Sequence, residues 1–420
     1  MTNARTWLRG LFHKDKTRRP DPPAPGLLPA SGRAKSFAED HADFAVALYE
    51  RLRGNPGNVF FSPFSVRAAL GMACAGARGE TAAQMRAALR FPPADEAAPA
   101  AFADLSRRLA AGGGGQYEMV VANSLWAQDG APLRAEFLDV VARHYGGGTN
   151  AVDFVGDADA AREAINRWVA EHTRRKIPEV VPPGGLNADT RLVLANAVYF
   201  KGRWTLPFSK DRTKDEPFYL EHGGTVRAPL MYQHAWPRYM REEGFQAVEL
   251  GYEGGDVSML VLLPDKRDGL ADLEARLSSG MLLRCAARTQ SYEVELFLPR
   301  FTQRWGPADL GEPLAAVGMP LAFARGRADF SGINGYEPPH AESLYVSAVF
   351  HEAFVDVDEK GTEAAAATTV GMMTGAAPLT AKPPPVAVFR ADHAFLFAIL
   401  ARRNNAVLFL GRVADPTRAG

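Results

Sequence analysis

Between two strongly apolar runs late in the chain lies a stretch in which almost every side chain is small: Asp358-Glu359-Lys360-Gly361-Thr362-Glu363-Ala364-Ala365-Ala366-Ala367-Thr368-Thr369-Val370. A strand-like run over 348–357 leads into it. Gly371-Met372-Met373-Thr374-Gly375-Ala376-Ala377-Pro378 and then Pro383-Pro384-Pro385 lead out. Small side chains suit an exposed loop, and the same residues are tolerated in a strand. Positions 362, 364, 366, 368, 370, 372 and 374 read Thr, Ala, Ala, Thr, Val, Met, Thr, none of them charged. Successive strand side chains point to opposite faces, so this set can face a core if the segment becomes extended. The other set holds Glu363 and Met373, and the rest of it is small. The plain alternative is a low-complexity Ala/Thr linker. A position between two apolar strand regions of one domain argues against that.

The remaining composition sets wide bounds. A chain of 420 residues with 47% hydrophobic and 23% charged side chains has the profile of a soluble globular protein with an ample core. Its formal net charge of +0 gives no reason to expect a nucleic-acid partner. Two distant cysteines, Cys74 and Cys285, read as buried thiols rather than a disulfide framework. No run reaches the roughly 20 apolar residues that cross a bilayer. Residues 1–35 differ from the rest. They carry Arg5, Arg9, Lys14, Lys16, Arg18, Arg19, Arg33 and Lys35 against Asp15 and Asp21, with prolines at 20, 22, 23, 25 and 29. Such a segment is expected to be an extended, basic, disordered tail. It lacks the apolar core of a secretory signal, which points to a cytoplasmic location.

From Ser36 the pattern turns helical. Phe37, Phe44, Ala45, Leu48, Tyr49 and Leu52 recur at helical spacing until Gly54-Asn55-Pro56-Gly57 stops them. Val59-Phe60-Phe61 reads as a short buried strand, and Ser62-Pro63 as a cap and first turn for a helix from Phe64 to about Ala75. A second amphipathic helix is expected over 160–177. Later, 192–200, 258–263, 294–298, 394–400 and 406–410 read as strands, with Arg402-Arg403-Asn404-Asn405 as a hairpin turn. Helices come first and strands mostly follow, without βαβ alternation, so the expectation is one large α+β domain.

Enzyme motifs are missing: the chain holds no G-x-S-x-G, no phosphate-binding G-x-x-x-x-G-K-[ST], no H-E-x-x-H and no C-x-x-C. Gly112-Gly113-Gly114-Gly115 reads as a loop. His351-Glu352 and Asp392-His393 invite an acid–base reading, but neither has a nucleophile at a motif spacing. No enzyme activity, cofactor or metal is expected.

The segment Asp358 to Thr368 resembles the hinge of the serpin reactive-centre loop. Asn58-Val59-Phe60-Phe61-Ser62-Pro63-Phe64-Ser65-Val66 is similar to that family's early strand-to-helix motif. Asn196-Ala197-Val198-Tyr199-Phe200-Lys201-Gly202-Arg203-Trp204 resembles its central-sheet segment. Leu298-Pro299-Arg300-Phe301, Ala328-Asp329-Phe330-Ser331-Gly332-Ile333 and Phe409-Leu410-Gly411-Arg412-Val413 follow in family order. The resemblance implies a serpin domain over 36–416 with a dominant central β-sheet, smaller sheets, about eight or nine helices and an exposed reactive-centre loop at about 359–385. The tail, 1–35, lies outside it.

Serpins present the loop as bait and trap the protease as an acyl-enzyme while the cut loop enters the main sheet. The resemblance therefore implies a monomeric serine protease inhibitor acting as a suicide substrate. It places the hinge at Glu359, Gly361, Thr362, Glu363, Ala364, Ala365, Ala366 and Ala367. Ser62, Ser65, Asn196 and His351 match the shutter that holds the sheet closed. Trp204, with Arg300 and Glu359 as an ion pair, matches the breach where insertion begins. Family spacing puts the reactive bond at Gly375–Ala376, with Thr374 and Met373 as alternatives and Leu379 as an outside candidate. No Arg or Lys occurs from Gly361 through Ala381. Elastase-, chymotrypsin- or subtilisin-like enzymes are therefore the expected targets, with a cysteine protease as a further candidate. No heparin binding is expected. A non-inhibitory carrier, chaperone or interaction role is the alternative.

Overall fold

Ser36 opens the first helix with a reciprocal cap: its hydroxyl accepts from the Glu39 amide while the Glu39 carboxylate accepts from the Ser36 amide. The helix it starts, Phe37–Leu52, presents Phe44, Leu48, Tyr49 and Leu52 to the core. The computed structural model describes residues 36–91, 97–130, 132–362 and 385–419. Among these are eleven α-helical segments, of which Gly112–Gly115 and Ser331–Asn334 span only four residues each. The residues from Ser36 onward form one compact unit. None of the described helices is long and apolar enough to cross a membrane.

Three sheets carry the rest. The six-stranded sheet has the longest strands, in the order Phe301–Asp309, Val346–Asp358, Gly361–Thr362, Leu192–Arg203, Tyr117–Gln128, Gly148–Val152. A seven-stranded sheet runs Val59–Phe61, Ala406–Val413, Phe395–Ala401, Val257–Pro264, Phe245–Gly251, Arg238–Glu242, Gln290–Ser291. Four strands, Ala387–Arg390, Val294–Pro299, Thr225–Ala235 and Lys214–Tyr219, make the third.

The sequence shows why strand Leu192–Arg203 reads as an unbroken apolar run: both its faces are covered. Leu192, Leu194 and Val198 join the main core, while Val193, Ala195 and Ala197 join a second cluster under helix Ala158–His172. That helix ends five residues earlier than the periodicity suggests, because Arg174 and Arg175 take positive φ (51° and 61°) and turn the chain away. Gly112–Gly115 is corrected too: it closes one helical turn, at φ values of +58°, +77° and +88° for Gly112, Gly114 and Gly115, which glycine adopts without strain. Both cysteines are free and buried.

Candidate functional site: the seam of the long sheet and its two polar locks

The two central strands of the long sheet, Leu192–Arg203 and Val346–Asp358, run parallel and pair directly from Leu192/Val346 up to Tyr199/Phe354. Above that they diverge. Into the wedge comes the hairpin end Gly361–Thr362, antiparallel to both neighbours: Thr362 faces Gly202 on one side and Val357 on the other. A seam thus runs down the sheet with its upper end already parted by one short strand.

Glycine is required at the entry. A Cβ on Gly361 would lie 2.1 Å from the Gly202 carbonyl oxygen and 2.6 Å from the Arg203 Cα. Thr362 is fully buried, and its hydroxyl shares a hydrogen bond of 2.8 Å with the Tyr252 hydroxyl. Tyr252 stacks on Trp204 at 4.5 Å between centroids, and the Trp204 indole donates to the Asp358 carbonyl at 2.9 Å. The backbone amide of Trp204 donates to Lys360 O, and that of Phe208 to Glu359 O. Asp358 closes the turn by accepting from the Lys360 and Gly361 amides at 2.8 and 3.1 Å.

At the same end Glu359 is buried against Arg300. The guanidinium Nε donates to both carboxylate oxygens at 2.8 Å, a second donor, Nη2, reaches Oε1, and the Thr213 hydroxyl adds 2.6 Å. Burial alone would raise the Glu359 pKa; the hydrogen bonds from Arg300 and Thr213 outweigh it and hold the carboxyl below its ordinary value.

Lower on the seam sits a second polar cluster, enclosed in the core. Ser62 caps helix Pro63–Gly76, accepting from the Ser65 amide at 3.1 Å and donating to Leu408 O at 2.7 Å. The Ser62 amide donates to His351 Nε2 at 3.2 Å, so the proton of this imidazole is on Nδ1, facing Asn196 Oδ1. The Asn196 amide donates in turn to Ser65 Oγ and Asn123 Oδ1, and Ser65 Oγ donates to Asn123 Oδ1 at 3.1 Å. Ser62, Ser65, Asn196 and His351 have no exposed surface. Burial lowers the His351 pKa to about 3, so the ring is neutral. Because Asn196 and His351 are register partners across the seam, the cluster ties its two sides together and to the helix behind.

The structure brings Trp204, Arg300, Glu359, Gly361 and Thr362 together at the upper end, and Ser62, Ser65, Asn196 and His351 at the middle. Glu363, Ala364, Ala365, Ala366, Ala367, Met373, Thr374, Gly375, Ala376 and Leu379 lie outside the described residues. Asn123, Thr213 and Tyr252 were not anticipated. Asn123 sits in a β-run with no motif around it, and the other two meet the site only through tertiary packing. The acid–base readings also resolve: His351 and Glu352 point to opposite faces of one strand. Asp392 pairs with buried His393 at 2.9 Å, whose other nitrogen meets Pro264 O.

Comparison with known proteins gives a consistent result. The family model for Serpin (serine protease inhibitor) matches residues 39–416. An uncharacterised serpin-like protein of Thermococcus kodakarensis is 40% identical over 92% of this chain and 87% of its own length. Leukocyte elastase inhibitor of Bos taurus is 40% identical over 89% of this chain and 97% of its own. Among solved structures, Arabidopsis AtSerpin1 in its native stressed conformation superposes with a TM-score of 0.80 at 27% identity, covering 92% of this chain and all of that one.

Proposed function

The chain belongs to the serpin family, and from that premise we propose that it inhibits serine proteases by a single-use mechanism: cleavage of the loop, acyl-enzyme capture, and entry of the cut loop into the long sheet. The observation that carries this reading is the antiparallel wedge of Gly361–Thr362 at the head of a parallel seam. Continuing its register downward is self-consistent. Thr368 falls between Asn196 and His351, which are already partners, and Ala366 between Val198 and Ala353. Met372 comes level with Leu192, at the foot of the strand. The inward set is then Thr362, Ala364, Ala366, Thr368, Val370 and Met372, the uncharged set seen in the sequence. Each inserted residue exchanges one parallel pairing for two antiparallel ones, at a net gain on the order of 1 kcal/mol per added hydrogen bond.

In this mechanism the Arg300–Glu359 pair holds the upper end until the loop is cut, and the Ser62–His351–Asn196 cluster holds the middle. Thr368 brings a hydroxyl to that cluster as its cross-seam contact is broken. A cut at Gly375–Ala376 leaves three residues beyond Met372, enough to carry an acyl-linked protease clear of the foot of the sheet. The absence of Arg and Lys from Gly361 through Ala381 favours proteases that prefer small or medium apolar residues, and the relation to a leukocyte elastase inhibitor points the same way.

Incubation with elastase, subtilisin, chymotrypsin and trypsin, followed by denaturing electrophoresis and mass analysis of the released peptide, tests the reading. A denaturant-resistant band at the summed mass with one of the first three is expected, and a peptide beginning at Ala376. Cleavage by all four without such a band, and with no rise in thermal stability after cutting, would overturn it in favour of a non-inhibitory role.

A further inference from the structure

Glu352 sits next to His351 but on the other face of strand Val346–Asp358, and it is only 1% exposed. The segment 173–190, which follows helix Ala158–His172, lies over this face. Its Ile177, Val180, Val181 and Leu186 share one apolar cluster with Val193, Ala195 and Ala197 on one side of the seam and Ala348 and Phe350 on the other. The segment therefore bridges the closed seam. A polar strut pins it: Arg304 Nη1 meets Glu352 Oε1 at 3.2 Å while Arg304 Nη2 donates to Lys176 O at 2.9 Å.

An entering strand would part the two sides by about one strand spacing, 4.7–4.9 Å, so the bridging segment cannot remain packed on both. An entering strand that kept the register of Gly361–Thr362 would bring Ala367 between Glu352 and its present partner Ala197, on this same face. We propose that Glu352 gates loop entry: its carboxyl is sealed beneath segment 173–190 while the seam is closed and regains water when the seam opens, so that entry is favoured by the ionised form of this carboxyl. The proposal rests on the insertion reading above and adds a residue that sets its rate.

The charges around Glu352 set the direction. Arg304, from strand Phe301–Asp309, is its cation. Glu179, on the bridging segment, is a like charge engaged by Arg162 of helix Ala158–His172 at 3.1 Å. Burial, helped by Glu179 and opposed by Arg304, raises the Glu352 pKa to about 7, whereas a solvated carboxyl lies near 4.5. His351 titrates far below this window. If the carboxyl becomes fully solvated on opening, the linkage gives about a tenfold faster entry at pH 8 than at pH 6.

The test uses the full chain and a synthetic acetylated peptide of residues 363–374, followed by native electrophoresis and thermal melting. This avoids the pH dependence of any protease. Annealing to the wild type should accelerate about tenfold from pH 6 to 8, and annealing to Glu352→Gln should be nearly flat. Equal pH slopes in the two proteins overturn the gate. No annealing at any pH overturns the insertion reading and the gate with it. Should Glu352→Gln fail to fold, Arg304→Gln supplies the second arm: the midpoint of its pH profile should move upward, and an unmoved midpoint overturns the gate.

Discussion

Thr362→Arg puts the insertion mechanism to its most direct test. Thr362 has no exposed surface, is flanked by the Gly202 and Val357 backbones, and shares its hydroxyl with Tyr252, which is itself stacked on Trp204. An arginine there leaves its guanidinium in a pocket already filled by two aromatic rings, with no carboxylate among the contacts of Thr362. The effective cost of such a buried, unpaired ion is several kcal/mol, and the lost Tyr252 hydrogen bond adds about 1 kcal/mol. A total of about 5 kcal/mol is enough to expel residue 362 from the wedge in the resting molecule; entry must then put it back, which slows that step by three to four powers of ten. Deacylation then outruns entry, and the molecule becomes a substrate. The assay is the ratio of covalent complex to cleaved inhibitor on denaturing gels. Glu363→Arg is the control: strand alternation would put residue 363 on the opposite face of an inserted loop, and this variant should trap at nearly the wild-type ratio. Undiminished trapping by Thr362→Arg, or equal losses in both variants, would refute the alternation on which the mechanism depends.

Other consequences concern the locks. Glu359→Lys sets two cations together at the upper end; with Arg300 40% exposed, the loss should be about 1–2 kcal/mol. It should appear as oligomers on native gels after mild heating, and a purely monomeric sample would count against the lock. Gly361→Ala should expel the wedge, because its Cβ would lie 2.1 Å from the Gly202 oxygen. A shift in tryptophan emission as the Trp204 indole loses its hydrogen bond to Asp358 O would report this, and an unchanged spectrum would contradict it. Buried His351 takes no proton until about pH 3, whereas an unfolded histidine does so near 6.5. Its contribution is therefore intact above 6.5 and lost as pH falls, by about 2 kcal/mol at pH 5. Glu352 has the opposite sign, gaining about 2 kcal/mol as pH falls from 7 to 5. Glu352→Gln should accordingly lose about 2 kcal/mol more than the wild type over that range in denaturant titrations, and parallel curves would refute the assignment.

Much of this was legible in the residues because the relevant features are local. The cap at Ser62-Pro63 and the unbroken run at 192–200 each follow from a rule acting over a few positions. What escaped was non-local. Asn123 joins the polar cluster through strand pairing across a separation of 73 residues from Asn196. Tyr252 meets Thr362 only because a strand end folds over Trp204. The end of helix Ala158–His172 was overrun because Ile177 keeps its apolar role in the cluster after the chain has left the helix, and periodicity cannot separate packed from helical.

The wedge at the head of the seam also implies a kinetic order. The strands beside the seam offer backbone hydrogen bonds and room for small side chains, and nothing in Ala195, Ala197, Ala348 or Ala353 distinguishes the chain's own loop from the same loop on a neighbouring molecule. Preference for self comes only from covalent attachment, which gives a tethered segment an effective concentration in the millimolar range. In the proposed mechanism, insertion stays unimolecular below that concentration. In crowded or concentrated solution, bimolecular exchange competes. Under the proposed insertion mechanism, the working lifetime of this protein is thus set by how much of it is stored together as well as by its fold.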